Sequence, residues 1–264
     1  MSAFHHRLAF VVATKDRPDD LRRLLRSLAA QTVPATDIVI VDGGDAQLGD
    51  VAGEFPRLAL RVIRHWPPSA ARQRNAGIEA VGPGATLIGL LDDDSVLEPD
   101  AVAEMLGFWE TAPDRLGGAS FNLANPPPLF AAGLKRLPLA ERLGLYSATP
   151  GAVLPSGFQV MTGTVSENLP VRWLSTMSSV WRREVFREFR FDEWFAGYSY
   201  LEDLDFSYRV GRAYDLAIVA SARLHHHPSA RGRIGGYRFG RREVENRLHF
   251  VRKYPELSVP KCYL

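Results

Sequence analysis

The first 110 residues are a regular alternation of short apolar runs and amphipathic segments, and this feature most constrains the fold. The apolar runs have the length of buried strands, whereas leucines or alanines recur at helical spacing in the segments between them. The expected strands are Leu8–Ala13, Asp37–Val41, Leu58–Ile63 and Thr86–Leu91, and the expected helices are Asp19–Ala30, Ser69–Ala80 and a segment from Pro99 to Trp109. The alternation predicts an α/β fold with a Rossmann-like, mostly parallel central sheet flanked by helices.

Polar clusters follow three of the expected strands. Their sequences are Thr14-Lys15-Asp16-Arg17, Asp42-Gly43-Gly44 and Asp92-Asp93-Asp94. In parallel sheets, ligands bind beyond the carboxyl ends of the strands, so the three clusters are expected to form one site.

The acid triplet that ends the fourth expected strand is a candidate metal site. Asp92 and Asp94 point the same way if the chain stays extended, and carboxylate oxygens suit Mg²⁺ or Mn²⁺, which in turn bind phosphates. The alternative is an ordinary loop whose acids cap the helix that starts near Pro99. On the triplet alone, both interpretations stay open.

Three further clusters have functional and structural explanations. Glu202-Asp203-Leu204-Asp205 opens a helical segment, where acids complement the helix dipole, but it follows a loop rich in aromatic residues that suits a sugar. The run His225-His226-His227 follows a strand-like segment and is either a solvated loop or a source of metal ligands. The arginines of Ala71-Arg72-Gln73-Arg74-Asn75-Ala76-Gly77 either bind phosphate or cover a helix face.

Together these segments resemble glycosyltransferase family 2, an inverting group with the GT-A fold. The similar segments follow the family's order from residue 8 to about residue 250, but residues 122–170 match none of its motifs. The segments are Phe10–Pro18, Ile38–Gly44, Arg74-Asn75-Ala76-Gly77, Leu90–Asp94 with its DxD motif, Met177–Phe186, Glu202-Asp203-Leu204-Asp205 with its ED motif, and His226-His227-Pro228-Ser229.

The resemblance implies a role for each matching residue. Asp203 is expected to be the general base, with Glu202 binding the acceptor or orienting the base. Asp94 is expected to bind Mn²⁺ or Mg²⁺ with Asp92 and His226, although His225 and His227 remain possible ligands. The nucleotide would contact Thr14, Asp16, Arg17, Asp42, Arg74, Asp92 and Asp93. The acceptor would contact Trp181, Trp194 and Tyr198.

The resemblance also implies the substrates and one domain. The donor is expected to be a UDP-, dTDP- or GDP-sugar and the acceptor a glycan or a lipid-linked molecule, in bacterial polysaccharide or glycolipid assembly. The domain spans residues 1–264, with a nucleotide-sugar half (1–118) and an acceptor half (119–264). A nucleotidyltransferase or a catalytically inactive sugar-binding scaffold is the alternative function.

Composition limits the partners and the compartment. The net charge of +2 does not call for nucleic acid, and the single Cys262 fits a reducing compartment. No apolar stretch of about 18 residues is present, so a cytoplasmic protein is expected. The segment Arg223–Lys253 has nine Lys or Arg residues and two acids. It is expected to be a lid over the diphosphate, a membrane-surface segment, or a solvated helix packed through Tyr237, Val244, Leu248 and Val251.

Overall fold

The computed structural model of the chain describes residues 4–46, 48–127, 138–144, 146–229 and 235–263. Within these ranges the strands form one sheet in the order β3-β2-β1-β4-β8-β6-β9-β5, and β7 pairs with β9 outside this path. The strands are β1 (Leu8–Thr14), β2 (Asp37–Asp42), β3 (Leu60–Arg64), β4 (Leu87–Asp92), β5 (Ser95–Leu97), β6 (Leu116–Leu123), β7 (Leu169–Val171), β8 (Ser178–Arg182) and β9 (Asp215–His226).

The helices cover both faces of this sheet. They are α1 (Pro18–Ala29), α2 (Val51–Glu54), α3 (Ala70–Ala80), α4 (Ala101–Glu110), α5 (Pro138–Arg142), α6 (Val185–Glu188), α7 (Glu202–Val210), α8 (Gly236–Lys253) and α9 (Val259–Cys262). Alternate residues of β1 enter opposite cores, because successive side chains of a strand point to opposite faces. Phe10 packs with α1 and α4, whereas Val11 packs with the α3 and α7 side.

The amino-terminal half has the predicted order of elements. Strands β1 to β4 are parallel in pairs β1–β2, β1–β4 and β2–β3, and each starts or ends within about two residues of its prediction. Helix α3 lies close to the sheet at Gly77, where an added Cβ would come within 2.3 Å of Val11 Cγ1. This close approach brings the first turns of α3 to the carboxyl ends of β1 and β4.

The second half extends the same sheet with mixed strand directions. Strand β8 is antiparallel to β4 and to β6, and β6 is parallel to β9. The eight-residue β6 was not predicted, and β9 is longer than the strand-like segment Leu216–Ala220 seen in the sequence. The parallel arrangement therefore describes the amino-terminal half and the β6–β9 pair.

Helix α8 packs through only part of the predicted face. Tyr237 is 87% exposed and Val244 is 56% exposed, so the prediction that these residues pack against the protein was wrong. Val251 is buried as predicted, and it shares the buried face with Asn246, Arg247 and Phe250. The helix has two partly apolar stripes, and the stripe that packs on the core includes two polar side chains. Asn246 donates a hydrogen bond to Tyr200 O, and Arg247 donates one to Gly157 O.

Candidate active site

A cleft of about 540 Å³ opens at the carboxyl ends of β1 and β4, where the sequence predicts a site. This volume is in the range of small-molecule binding sites. Its walls come from the loop after β1, the loop after β4, the start of α3 and the start of α7. It is lined by the predicted residues Thr14, Arg17, Arg74, Asp92, Asp93, Tyr198, Glu202 and Asp203, together with others named below.

Arg74 joins two of the predicted motifs. Its side chain projects from α3, is 7% exposed, and donates to Glu202 Oε1 and to Asp92 Oδ1, the latter at 3.0 Å. The acids after β4 and those at the start of α7 therefore lie within the span of one guanidinium group. In this structure the guanidinium group of Arg74 links the two motifs.

Glu202 and Asp203 open α7 beside the cleft. Leu201 precedes them in the left-handed region, with a φ of 73°, which turns the chain into the helix. Burial raises the pKa of Glu202 to about 8 even though Arg74 opposes it, and burial also raises the pKa of Asp203. A carboxyl group with a raised pKa is a better proton acceptor, because its basicity lies closer to the operating pH.

Asp93 holds the loop after β1 against the loop after β4. Its carboxylate is 4% exposed and accepts from Thr14 Oγ1 at 2.7 Å and from Arg17 Nη1 at 3.1 Å. Burial raises its pKa to about 7, although the Thr14 hydroxyl and Arg17 lower it. These contacts make Asp93 and its partners a rigid wall of the cleft.

Asp94 and His226 meet at the end of β9. Asp94 Oδ1 is buried, accepts no hydrogen bond of good geometry from the described residues, and lies 3.1 Å from His226 Nε2. Burial acts to raise the pKa of Asp94, but the His226 imidazole, the Ser229 amide and Arg17 outweigh it and the pKa is lowered. An ionised carboxylate and an imidazole nitrogen at this separation are compatible with two neighbouring ligands of one cation.

Asp92 does not join this pair in the structure. Its carboxylate faces Arg74. Among the described residues, no three acid, imidazole or thiol side chains are grouped as a preformed metal site. His225 contacts Glu98 at 3.2 Å and His227 is exposed, so His226 is the histidine of the run that lies against the acid triplet.

Asp42 and Asp16 lie beside the cleft and are not part of its lining. The carboxylate of Asp42 is 1% exposed and accepts from the Gly44 amide and from Arg64. Asp16 is exposed, has a φ of 54°, and accepts from the Asp45 amide. Both predicted nucleotide contacts therefore hold the loops after β1 and β2 in this structure.

The three predicted acceptor-binding aromatics lie in different environments. Trp181, a residue of β8, is fully buried against α7 with its ring 5.0 Å from that of Phe206, so it has no surface free to contact an acceptor in this structure. Trp194 is 51% exposed and stacks on His249 outside the cleft lining. Tyr198 does line the cleft.

The sequence interpretation did not identify several residues of the cleft. Gln73, which is buried, donates to Thr14 O and Val41 O and accepts from the Ser69 amide, so it ties α3 to β1 and β2. Its place between Arg72 and Arg74 is a signal that could have pointed to it. The segment without family motifs also supplies cleft residues, namely Gln159 and Met161, and Trp173 and Ser175 follow shortly after it.

Sequence comparison identifies the family of the amino-terminal half. The profile described as Glycosyl transferase family 2 matches residues 9–130. The matched segment, which is less than half of the chain, is similar to the family that the sequence motifs predict. The predicted family is thereby confirmed.

Two Bacillus subtilis family members match part of the chain. Uncharacterized glycosyltransferase YwdF is 32% identical over 108 residues, which are 40% of this chain and 39% of YwdF. EpsH, provisionally named a glycosyltransferase, is 31% identical over 102 residues, 38% of this chain and 29% of EpsH. The matches thus span less than half of either relative, and both relatives carry the name of the predicted enzyme class.

Solved structures confirm the predicted GT-A fold over nearly the whole chain. GalNAc-T7 with UDP, GalNAc and Mn²⁺ matches with a TM-score of 0.68 at 15% identity, covering 94% of this chain and 48% of that one. The mannosyltransferase PcManGT from Pyrobaculum calidifontis, with GDP-Man and Mn²⁺, matches at 0.60 and 15% identity, covering 94% and 63%. S. aureus TarS 1–349 with UDP-GlcNAc matches at 0.60 and 14% identity, covering 96% and 68%.

Proposed function

We propose that this chain is an inverting, metal-dependent glycosyltransferase that moves a sugar from a nucleoside-diphosphate sugar to an acceptor hydroxyl. The observation that carries the proposal is the convergence of the acids after β4 and the acids of α7 on one cleft, joined by Arg74. A transferase of this type needs phosphate recognition and a base on opposite sides of the reacting carbon. The cleft offers both sets of groups.

The donor would lie along the carboxyl ends of β1 and β4. Thr14, Arg17 and Asp93 form the wall next to this position, and the similar structures contain UDP, UDP-GlcNAc or GDP-Man. Asp42 and Asp16 remain proposed contacts of the nucleoside through the loops that they hold. The proposed donor is a sugar derivative of uridine, deoxythymidine or guanosine diphosphate.

The acid triplet fits a divalent cation through Asp94 and His226. Among the described residues no hydrogen bond of good geometry reaches the buried Asp94 Oδ1, and His226 Nε2 lies 3.1 Å from it, so a carboxylate oxygen and an imidazole nitrogen would together hold Mg²⁺ or Mn²⁺. Mg²⁺ and Mn²⁺ commonly use one or two protein ligands plus substrate phosphates, so two side chains suffice. Such a cation, when bound, stabilises the negative charge of the departing nucleoside diphosphate. Asp92 is a further proposed ligand or ribose contact.

Asp203 is the proposed general base. Its raised pKa and its place in the cleft suit removal of a proton from the acceptor hydroxyl as that oxygen attacks the anomeric carbon. Attack from the face opposite the leaving diphosphate inverts the anomeric configuration in one displacement. Glu202, tied to Arg74, would hold the first turn of α7 so that Asp203 faces the acceptor.

The first test is ligand-induced thermal stabilisation. The wild type and Asp94→Ala are heated with UDP, dTDP, GDP or CMP, each with and without Mn²⁺. A ligand at about 100 times its dissociation constant adds roughly 2.7 kcal/mol to the unfolding free energy. We expect one diphosphate to raise the melting temperature of the wild type only with Mn²⁺, and Asp94→Ala to lose this effect. Glu104→Ala, an acid on the partly exposed side of α4, is the matched control.

Each other result contradicts a part of the proposal. No shift with any nucleotide contradicts the donor site, and an equal shift without Mn²⁺ contradicts the metal. Tight donor binding without hydrolysis or transfer favours a sugar-binding scaffold. Release of pyrophosphate from a nucleoside triphosphate and a sugar phosphate favours a nucleotidyltransferase.

We further propose that α8 contacts a membrane surface from the cytoplasmic side, where polysaccharide or glycolipid precursors would be presented. Its outer face exposes Tyr237 and Val244 beside Arg238 and Arg241, a pattern that suits an anionic lipid surface. Among the described residues, no helix has the length and apolar character that crossing a bilayer requires.

A further inference from the structure

Gln159 is a polar residue of the cleft whose side chain is fixed by the buried Arg247 of α8. The guanidinium of Arg247 donates to Gln159 Oε1 at 3.1 Å and to Gly157 O at 2.7 Å. It also stacks on the Phe158 ring, 3.8 Å from the ring centroid, and pairs with Glu243. Arg247 is 3% exposed, so these contacts are protected from water.

The backbone around Gln159 is fixed by the same packing. Val153 and Gln159 form a β-bridge, and the tight turn between them contains Gly157 with a φ of 79°. An added Cβ on Gly157 would come within 2.3 Å of Val251 Cγ2, so this turn lies directly on α8. The hairpin 153–159 therefore has one position relative to α8 and to the cleft.

The partner of Gln159 determines which way its amide points. A guanidinium group can only donate hydrogen bonds, so the side chain must turn its oxygen towards Arg247 and its NH₂ group away. Within the described part of the chain, no protein group accepts a hydrogen bond from this NH₂. The cleft also holds the carboxylates of Asp92, Asp93, Glu202 and Asp203 and the cations of Lys15, Arg17 and Arg74, and Gln159 adds an uncharged donor on the wall that includes Met161 and Trp173.

We propose that Gln159 recognises the acceptor, and that Arg247 is the positioning residue that fixes the amide for this purpose. The NH₂ of Gln159 donates to an oxygen of a sugar acceptor near the hydroxyl that reacts. The apolar face of that sugar rests on Met161 and Trp173, which line the same wall. This inference rests on the proposed transferase function and names the class of its acceptor, a glycoside.

The test compares the acceptor selectivity of variants. The wild type is assayed with sugar derivatives of the nucleoside diphosphate that stabilises it and with a panel of p-nitrophenyl glycosides as acceptors. The glycoside that it accepts is then replaced by the monodeoxy analogues of that glycoside. Gln159→Glu keeps an oxygen for Arg247 but replaces the NH₂ donor by a second acceptor. We expect the wild type to lose about 10–100-fold in acceptor kcat/KM when one particular oxygen is missing, because a site built to pair with that oxygen is left unpaired.

Gln159→Glu is expected to lower kcat/KM for the parent glycoside by a similar factor. It is also expected to abolish the preference for the parent glycoside over the analogue that lacks this oxygen. Arg247→Met frees the Gln159 amide to turn and is expected to abolish the same preference. If Arg247→Met does not fold, Arg247→Lys is assayed in its place. Loss of stability alone would lower all rates together and leave this ratio unchanged. Thr149→Glu adds the same charge at an exposed residue of the same segment and is the control.

Three results overturn the inference. If the wild type has the same kcat/KM for the parent glycoside and for all its monodeoxy analogues, oxygen recognition is excluded. If Gln159→Glu keeps the wild-type ratio of these kcat/KM values, Gln159 is excluded as the residue that recognises the oxygen. Hydrolysis of the donor without transfer to any glycoside excludes the acceptor class. A donor that is neither hydrolysed nor transferred contradicts the proposed function itself.

Discussion

Replacing Arg74 by methionine should destabilise the protein in a pH-dependent way. Arg74 and Glu202 are each 6% exposed, and their side chains are in direct contact. Removing one partner of a buried ion pair costs about 3–5 kcal/mol, because the other charge stays buried without compensation. For a chain of this size, each kcal/mol shifts the melting temperature by about 2–4 °C, so the full cost corresponds to roughly 6–20 °C.

This full cost is an upper limit that is approached only at a pH well above 8. Burial raises the pKa of Glu202 to about 8 while Arg74 is present, and loss of the cation raises this pKa further. At pH 6 the carboxyl group of the folded variant is protonated and avoids the cost, whereas at pH 9 the wild-type carboxylate is ionised and stabilised by Arg74. The difference in unfolding free energy between wild type and variant therefore grows as the pH rises above about 8, by at most about 1.4 kcal/mol for each pH unit, so about this amount is expected at pH 9. The like charge of Asp203 acts in the same direction.

Thermal unfolding of the wild type, Arg74→Met and Arg74→Met/Glu202→Gln at pH 6 and pH 9 provides the assay. The double variant should recover much of the loss at pH 9, because a neutral amide costs less to bury than an unpaired carboxylate. Arg22→Met, which removes a partly exposed ion pair with Glu54, should have little effect at either pH. Equal melting temperatures of wild type and Arg74→Met at both pH values would refute the reasoning.

The remaining predictions concern catalysis, packing and the membrane. Asp203→Asn should lower kcat about 10²–10⁴-fold in a transfer assay. The activity of the wild type should fall as the pH drops through the raised pKa of Asp203, which lies above the ordinary aspartate value of 3.8. Full activity of Asp203→Asn would exclude Asp203 as the base. Gly77→Ala should destabilise by about 1–3 kcal/mol because its Cβ would overlap Val11. Gly107→Ala, in open space on α4, should stabilise by about 0.5–1 kcal/mol, and urea unfolding distinguishes the two. Binding to anionic vesicles should weaken with salt and in Arg241→Glu; no binding at low salt contradicts the membrane contact.

The amino-terminal half of the fold could be predicted because each element carries a local pattern. Strand β6 could not, since Leu116–Leu123 mixes small and polar residues with few large apolar ones. Its glycines are explained only by distant neighbours: an added Cβ on Gly117 would meet Tyr214, and one on Gly118 would meet Trp181. Burial by residues about 60 to 100 positions away leaves no periodic signal in the strand itself.

The site was predicted at the level of its motifs and less well at the level of side-chain contacts. The acids after β4 and those of α7 do line one cleft. The sequence could not indicate that Arg74 faces two carboxylates or that Asp42 faces Arg64, because these pairings depend on how loops and helices meet. The prediction for α8 was wrong at Tyr237 and Val244 for a related reason: a helical period does not identify which of two stripes faces the core.

The position of β8 determines how the chain can be divided. This strand comes from the second half, yet it lies between β4 and β6, both of which belong to the first half or its border. A fragment that ended at residue 130 would expose the edge of β4, Leu87–Asp92, whose residues are almost all buried in the full chain. An uncovered apolar edge strand pairs readily with other chains. The segment that carries the family's sequence pattern is therefore expected to aggregate when it is produced without the residues that follow it.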